Sequence, residues 1–504
     1  MIHHVITYLQ DGAREKPDKI ALRDSGEALT YGELFSQAKA VATGIHGILG
    51  ATRQPVFVCI GRNVGSVAAF LGVACSGNFY VPIDPALPDQ RLMDIFRTVK
   101  PQLIITTRED TRPLPFEGCL QKSLSELGTC EPDEEKLEAL WDQILDIDPL
   151  YCIFTSGSTG IPKGVLVSHR SVIDMVEQFS KVFPLDENSV FGNQAPFDFD
   201  VSVKDLYLSL RNGATVCILD RTLFSAPKRL VERLNEWQVN TLIWAVSAMR
   251  ILSALKCFRS ICPQYLRLVM FSGEALPCKV LNDWMDHLSE TAFVNLYGPT
   301  EITCNCTYYK IERAFSDEEV LPIGRPFPNT GILLLDEGQP VTRPGQMGEI
   351  CVSGSCLALG YYADSERTAA SFRQSPEQQA WERKLYHTGD LGRWGEDGNL
   401  YFLGRADSQV KHMGFRIELG EIETAASALD FVDGACCLYD HGREQLCLFY
   451  GAKEQKDEAL LAALREKLPS FMIPRRIYYF PALPENRTGK IDRVKLKEDY
   501  ILMK

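Results

Sequence analysis

Thr155-Ser-Gly-Ser-Thr-Gly-Ile-Pro-Lys-Gly164 is the stretch of sequence on which the fold assignment rests. It lies between two β-branched and apolar runs, Leu150-Tyr-Cys-Ile-Phe154 and Val165-Leu-Val-Ser168, which are typical of strands. Its glycines permit close backbone approach, and its hydroxyls, N–H groups and Lys163 suit anionic oxygens. The pattern therefore predicts a loop that holds phosphates between two strands.

The spacing of this loop excludes two common nucleotide motifs. Five positions after Gly157 comes Pro162, where G-x-x-x-x-G-K-[ST] requires a second glycine. Thr159 stands where G-x-G-x-x-G requires its second glycine. The loop is thus neither a P-loop nor a dinucleotide fingerprint, and a plain Ser/Gly-rich hairpin turn is the alternative.

Outward from the loop, strand-like runs alternate with helical patterns in both directions, for example at 55–60, 102–106, 214–218 and 267–271. This alternation is typical of parallel βα units. Between about 330 and 403 short strands are separated by Gly and Pro, and the remainder is a small α+β unit. We expect an α/β protein. A large N-terminal domain (1–404) would hold two βα-type sheet subdomains and a small β-rich subdomain. A small, mobile α+β domain (405–504) would follow.

Composition narrows the functional class. The 504 residues carry 53 Lys and Arg against 66 Asp and Glu, a net charge of −13, which disfavours nucleic acid as a partner. No export signal opens the chain, and no apolar run is long enough for stable membrane insertion. The sixteen cysteines lack zinc or disulfide spacing. These features predict a cytoplasmic protein with reduced thiols.

Further motifs carry a resemblance to a known family. The loop is similar to the signature loop of the ANL superfamily, which comprises acyl-CoA synthetases, nonribosomal peptide synthetase adenylation domains and luciferase-like enzymes. The other matching motifs, in the order of that family, are Leu29-Thr-Tyr-Gly-Glu-Leu34, Gly77-Asn-Phe-Tyr-Val-Pro-Ile-Asp-Pro85, Phe199-Asp-Val-Ser-Val203, Asn295-Leu-Tyr-Gly-Pro-Thr-Glu301, Gly348-Glu-Ile350, Tyr386-His-Thr-Gly-Asp390, Gly404-Arg-Ala-Asp-Ser-Gln-Val-Lys411, Gly414-Phe-Arg-Ile-Glu418 and Asn486-Arg-Thr-Gly-Lys490. The chain is identified as a member on these motifs together.

The resemblance implies a two-step ligase that uses ATP and Mg²⁺. A carboxylate attacks the α-phosphate of ATP and forms an acyl-adenylate with loss of pyrophosphate, and a thiol then takes the acyl group. Glu301 would hold the metal, Thr300 a phosphate oxygen, Tyr297 the adenine, and Asp390 with Arg405 the ribose. The full set of implied nucleotide-binding residues is Thr155, Ser156, Gly157, Ser158, Thr159, Gly160, Lys163, Gly273, Glu274, Ala275, Asn295, Tyr297, Gly298, Thr300, Asp390, Arg405 and Lys490.

The family also implies a moving catalytic lysine. The catalytic residues would be Lys490, Glu301 and Thr300. Of these, Lys490 would bridge the substrate carboxylate and the phosphate, and it would do so during adenylation only. Asp407 would be the hinge, and Gly414-Phe-Arg-Ile417 would then face the incoming thiol. A solvated surface lysine is the alternative for Lys490.

Asp200 predicts the class of acid. A carboxylate in an apolar pocket is costly unless paired, and the α-ammonium group of an amino acid supplies the partner. A helix-capping Asp200, or one neutralised by Lys204, is the alternative. By analogy the other substrate-binding residues are Val201, Ser272, Leu296 and Cys304, with Lys204, Trp244, Met270 and Asn305 nearby.

The resemblance extends over the whole chain to D-alanine–carrier protein ligases, which load a small carrier for teichoic-acid modification. We therefore expect a free-standing amino-acid-activating enzyme whose partner in trans is a phosphopantetheinylated carrier protein. Those ligases have Cys where this chain has Ser272, which keeps a small L-amino acid such as serine open as the substrate. An acyl-CoA ligase and a catalytically silent nucleotide-binding protein are the further alternatives.

Overall fold

The computed structural model describes residues 2–108, 112–157, 161–406, 409–484 and 491–502. It confirms the α/β class. Two large βα sheets and a β-rich sheet form the N-terminal part, and a small α+β unit follows them.

The first sheet carries the strands on either side of the signature loop. Within the described residues its strand order is β19-β8-β7-β4-β3-β5-β6. The strands are β3 (Pro55–Cys59), β4 (Phe79–Ile83), β5 (Leu103–Thr106), β6 (Leu120–Ser123), β7 (Pro149–Thr155), β8 (Lys163–Ser168) and β19 (Gly360–Tyr361). Strands β4, β3, β5 and β6 are parallel, whereas β7 and β8 form an antiparallel hairpin. The loop therefore connects two hydrogen-bonded strands, as the sequence predicts.

The second sheet ends in the other candidate motifs. Its order among the described residues is β15-β14-β13-β12-β11-β9-β10-β1-β2. The strands are β1 (Ile20–Arg23), β2 (Ala28–Thr30), β9 (Val190–Asn193), β10 (Thr215–Ile218), β11 (Thr241–Ala245), β12 (Leu268–Ser272), β13 (Ala292–Tyr297), β14 (Thr307–Ile311) and β15 (Arg325–Pro326). Strands β11, β12 and β13 are parallel, so their carboxyl ends place Ser272 and Tyr297 at one edge.

The β-rich and C-terminal sheets are antiparallel, apart from the parallel pair β26–β27. The strands of the first are β16 (Thr330–Asp336), β17 (Gln339–Pro340), β18 (Met347–Gly354), β20 (Phe372–Gln374), β21 (Lys384–Trp394) and β22 (Leu400–Arg405). Those of the C-terminal unit are β23 (Gln409–His412), β24 (Phe415–Glu418), β25 (Gly434–Asp440), β26 (Gln445–Gly451) and β27 (Arg476–Phe480). Arg405 of β22 pairs with Asp390 of β21, so this residue still belongs to the β-rich sheet. The domain boundary after residue 404 therefore stays a prediction.

Helices cover the sheets. They are α1 (Ile6–Glu15), α2 (Tyr31–Leu49), α3 (Val64–Cys75), α4 (Asp89–Val99), α5 (Leu124–Gly128), α6 (Glu134–Trp141), α7 (His169–Val182), α8 (Val201–Asn212), α9 (Pro227–Glu236), α10 (Val246–Ala254), α11 (Cys278–His287), α12 (Ser365–Ser371), α13 (Leu419–Ser427), α14 (Asp457–Lys467) and α15 (Arg493–Lys497). Helix α2 begins where Thr30 accepts from the Glu33 N–H and the Glu33 carboxylate accepts from the Thr30 N–H. This reciprocal capping box sets the start of the helix.

The main core lies between the two large sheets. Buried residues of α2, α3, α7 and α8 pack there against strands of both sheets. All sixteen cysteines, each within the described residues, are free thiols. In the part of the chain that the structure describes, no helix is long and apolar enough to cross a membrane.

Candidate functional site

The signature loop begins at the end of β7. The Ser156 hydroxyl donates to the Arg416 carbonyl at 2.7 Å, and the Gly157 N–H donates to Glu421 at 3.3 Å. A Cβ on Gly157 would lie 2.0 Å from the Ile161 carbonyl oxygen, so the turn requires glycine. Ser158, Thr159 and Gly160, which the sequence also assigns to this loop, lie outside the described residues.

Glu301 is the centre of a buried charge cluster. Its carboxylate accepts from the Tyr361 hydroxyl at 2.8 Å and from Arg416 at 2.7 Å, and Lys163 Nζ lies 3.3 Å away. Burial by itself raises the pKa of this carboxyl. Arg416 and Lys163 outweigh burial and hold the pKa well below its usual range. Glu301 is therefore a full negative charge although none of its surface is exposed.

Lys163 is nearly as deeply buried as Glu301. Burial, together with the neighbouring Arg416, lowers the pKa of its ammonium group to about 8, while Glu301 acts in the opposite direction. The lysine lies at the first residue of β8, so the hairpin that forms the loop also positions this charge. Lys163 and Glu301, which the sequence assigns to phosphate and to the metal respectively, thus form an ion pair beside the loop.

Asp390 forms a second polar cluster. It accepts from the Tyr297 hydroxyl at 2.5 Å and from the Arg405 guanidinium, which also donates to the Thr388 carbonyl at 3.2 Å. Lys411 Nζ lies 5.9 Å from the centroid of the Tyr297 ring. The ends of β13 and β22 and the middle of β21 therefore bring together the three residues that the resemblance assigns to adenine and ribose.

The remaining predicted nucleotide residues have varied surroundings. Glu274 accepts from the Gly414 N–H at 2.6 Å, and Asn295 donates to the Pro322 carbonyl at 2.8 Å. Ala275 is exposed. A Cβ on Gly298 would lie 2.6 Å from Asn305 Cα, so only glycine fits the backbone there.

One cleft joins the loop, the Asp390 cluster and the amino end of α8. The predicted residues that line it are Thr155, Ser156, Asp200, Val201, Ser272, Gly273, Gly298, Thr300, Cys304, Asp390 and Arg405. Leu296, also predicted to bind substrate, is buried in β13 and is not among the lining residues. Asp407 and Lys490, the predicted hinge and catalytic lysine, lie outside the described residues.

Asp200 stands at the amino end of α8 without capping the helix through its side chain. Burial raises the pKa of its carboxyl, whereas the charge of Lys204 and the hydroxyl of Thr300 act in the opposite direction. Among the described residues, no basic group lies within ion-pair distance of this carboxylate. The described residues therefore show neither a side-chain cap from Asp200 nor a direct ion pair with Lys204, although the charge of Lys204 still acts on this carboxyl.

Lys204 is fully buried and points elsewhere. Its ammonium group donates to Asn305 Oδ1 at 2.6 Å and lies 3.5 Å from the Ser272 hydroxyl. Burial lowers the pKa of Lys204, against the nearby Cys304, Asp200 and Asp205. Ser272 lines the cleft, whereas Lys204 does not. Lys204 therefore lies behind Ser272 and contributes a hydrogen-bond donor to the polar bottom of the cleft.

Sequence reasoning did not place Arg91 or Phe471 in the cleft, and it assigned no nucleotide- or substrate-binding role to Lys411 and Arg416, which also line it. Arg91 of α4 forms a buried ion pair with Glu421 of α13, the residue that also accepts from Gly157. Phe415 stacks on Phe471 with ring centroids 3.8 Å apart and meets Phe199 edge-on at 4.7 Å. No local pattern signals such pairs, since Arg91 and Glu421 are 330 residues apart.

Two family matches cover most of the chain. The AMP-binding enzyme family matches residues 9–362, and the AMP-binding enzyme C-terminal domain matches residues 421–490. The first match alone exceeds half of the sequence.

Curated relatives agree with these matches. The chain is 32% identical to a D-alanine--D-alanyl carrier protein ligase of Bacillus licheniformis, over 98% of this chain and 99% of the relative. It is 31% identical to bacitracin synthase 1 of Bacillus licheniformis, over 97% of this chain but only 9% of that protein.

Solved structures show the same architecture. That of IdnL1 has a TM-score of 0.83 at 30% identity and covers 96% of this chain and 99% of its own. That of PA1221, a nonribosomal peptide synthetase protein containing adenylation and PCP domains, has a TM-score of 0.85 at 25% identity and covers 98% and 84%. The chain therefore belongs to the AMP-binding enzymes of the ANL superfamily and is an ATP-dependent, adenylate-forming ligase.

Proposed function

We propose that the enzyme activates an amino acid as its aminoacyl-adenylate and transfers it to the phosphopantetheine thiol of a separate carrier protein. The observation that carries this proposal is the largely buried Asp200 carboxylate on the wall of the cleft, which has no ion-pair partner among the described residues. An ammonium group of the substrate would neutralise it, whereas a fatty or aryl acid would leave it without a partner. The full-length relatives named as carrier protein ligases support the same acceptor.

The chain's own residues supply positioning and charge for adenylation. The loop from Thr155 and the cation Lys163 would surround the phosphates, and Asp390 with Arg405 would hold the ribose. Tyr297, held by its hydroxyl on Asp390, would stack on the adenine. The substrate carboxylate would then lie near the α-phosphate because Asp200 fixes the other end of the amino acid.

Glu301 is the residue that would hold Mg²⁺. Its carboxylate is ionised, and Mg²⁺ prefers hard oxygen ligands such as carboxylate and phosphate. The metal would neutralise charge on the phosphates. In the arrangement described, one oxygen of Glu301 accepts from Arg416 of β24, so the carboxylate becomes available when this strand withdraws.

The hairpin β23–β24 contacts the cleft. This position supports our proposal that the observed arrangement of the C-terminal unit is the one used for thiol transfer. The Gly414 N–H donates a hydrogen bond to Glu274, and the Phe415 ring packs edge-on against Phe199. Arg416 donates a hydrogen bond to Glu301. These contacts place the Gly414-Phe-Arg-Ile segment on the cleft, where the incoming thiol would pass. Rotation about the predicted hinge, Asp407, would replace this segment by Lys490 for adenylation.

The buried pair Arg91–Glu421 gives a test of this assignment. We expect Glu421→Gln to slow transfer from preformed adenylate by about tenfold or more and to change adenylation by less than about threefold. Loss of one partner leaves a buried, uncompensated Arg91, which is strongly destabilising for the arrangement that contains the pair. Single-turnover measurements of each half-reaction provide the readout.

Glu444→Gln is the matched control. Its pair with Arg250 also joins the two parts of the protein but is exposed, and exposed pairs contribute about 0–1 kcal/mol. Equal losses in both half-reactions of Glu421→Gln, or a larger effect of Glu444→Gln, would contradict the assignment.

The substrate is tested by ATP–pyrophosphate exchange with a panel of D- and L-amino acids, fatty acids and aryl acids. We expect exchange with small amino acids, and above all with D-alanine. The relatives that match this chain over nearly their full length are named D-alanine--D-alanyl carrier protein ligases. Loading of a phosphopantetheinylated carrier, compared with free coenzyme A, identifies the acceptor. Exchange with fatty or aryl acids alone would refute the role of Asp200.

A small polar L-amino acid such as serine is a second candidate, on one observation. The Ser272 hydroxyl lines the cleft and is supported by the Lys204 ammonium group 3.5 Å away, so the floor offers hydrogen bonds to a hydroxyl. Exchange that is faster with L-serine than with D-alanine would favour this candidate.

A further inference from the structure

A cluster of three metal-binding side chains lies outside the catalytic cleft, on the β-rich sheet. Glu349 and Cys351 are on β18, and His387 is on the antiparallel neighbour β21, directly opposite Cys351. Among the described residues these three are the group whose ligand atoms, a carboxylate oxygen, Sγ and an imidazole nitrogen, all lie within 4.8 Å of one another. The cluster plays no part in the reaction proposed above.

One of the two distances measured from His387 matches a tetrahedral metal site, and the other is shorter. His387 Nδ1 lies 3.5 Å from Cys351 Sγ and 2.9 Å from Glu349 Oε2. Bond lengths of about 2.3 Å to sulfur and about 2.0 Å to nitrogen or oxygen place tetrahedral ligand atoms roughly 3.3–3.6 Å apart. The sulfur–nitrogen distance thus has the required spacing, and metal binding would require the Glu349 oxygen to move slightly away from His387.

The surroundings hold the ligands and leave one side open. The other oxygen of Glu349 accepts from the Gly389 N–H at 2.9 Å, which fixes the carboxylate as outer-shell bonds do in metal sites. Cys351 is fully buried, whereas Glu349 and His387 line a surface groove. The same groove carries Asp336, Glu337 and Arg373, and a water molecule or a small ligand has access there for a fourth position.

We propose that Glu349, Cys351 and His387 bind one zinc ion or a similar borderline divalent cation. The combination of thiolate, imidazole and carboxylate selects such ions over Mg²⁺ and Ca²⁺, which require oxygen ligands. On binding, the Cys351 thiol releases its proton to solvent and the sulfur bonds to the metal. The ion would join β18 to β21. Strand β21 also carries Asp390 of the proposed nucleotide site.

Cobalt(II) is the probe, because a cobalt–thiolate bond gives a near-ultraviolet charge-transfer band. The full-length protein is titrated with Co²⁺ without ATP or Mg²⁺, and Zn²⁺ is then added. We expect one equivalent of Co²⁺ to produce the band and Zn²⁺ to remove it. Cys351→Ser is expected to abolish the band, whereas Cys356→Ser, which changes another buried cysteine of the same part of the fold, retains it.

A second variant covers the case in which Cys351→Ser fails to fold. His387→Arg retains a hydrogen-bond donor beside Glu349 and removes the imidazole, and it is expected to weaken Co²⁺ binding by at least about 100-fold. The proposal is overturned if the native protein gives no band, if the band persists in Cys351→Ser, or if His387→Arg binds as tightly as the native protein. Because the readout is spectroscopic, it does not depend on which amino acid the enzyme activates.

Discussion

Replacing Asp200 by asparagine is expected to lower kcat/KM for the amino acid in ATP–pyrophosphate exchange by at least about 100-fold. Removing one member of a buried ion pair costs about 3–5 kcal/mol, and each 1.4 kcal/mol is about tenfold. Asp200 lies on the cleft wall and retains some exposure, so the lower end of that range applies. The loss should appear mainly as a higher KM for the amino acid, with the KM for ATP nearly unchanged.

Asp174→Asn is the matched control for loss of a buried carboxylate. Asp174 lies on α7 and accepts from Asn329 at 2.7 Å, away from the lining of the cleft. We expect this variant to keep exchange activity within about threefold. Unchanged exchange in Asp200→Asn would show that the carboxylate does not bind the substrate amine.

Lys490→Ala is expected to reduce adenylation by two or more orders of magnitude and to leave thiol transfer from preformed adenylate within about threefold. Lys490 lies outside the described residues, so this prediction rests on the Asn486-Arg-Thr-Gly-Lys490 motif. A cation that stabilises charge only in the transition state typically contributes about 100- to 1,000-fold. Transfer should persist because β23–β24, with Arg416, contacts the cleft in the arrangement we assign to that step.

The two half-reactions are measured separately by single turnover, with synthetic aminoacyl-adenylate as the starting material for the second. Lys497→Ala, an exposed lysine of α15, is the control and should leave both steps unchanged. If Lys490→Ala slowed both half-reactions equally, alternation of the C-terminal part between the two steps would be wrong.

Much of the fold could be read from local signals. The capping box at Thr30 and Glu33 specifies the start of α2 because both partners lie within one turn. The β-branched runs at β3, β5 and β12 are strands because each is short, apolar and bounded by loop or helix signals. The signature loop lies between β7 and β8 for the same reason.

The charge network of the site depended on tertiary structure. Glu301 and Arg416 are 115 residues apart, and no local pattern predicted either their contact or the role of Arg91 opposite Glu421. The cluster of Glu349, Cys351 and His387 also depends on tertiary structure, because the register of β18 against β21 sets Cys351 opposite His387.

By itself the sequence therefore determined the family, the α/β class with its alternation of strands and helices, and the residue types at the positions proposed for nucleotide and substrate. Tertiary structure alone decided how the charges pair, and in particular that Lys204 donates to Asn305 and forms no direct ion pair with Asp200. The physical reason is that helices, caps and strands depend on neighbours a few residues away. The charge state of a buried group instead depends on whichever distant residues the fold brings within a few ångströms.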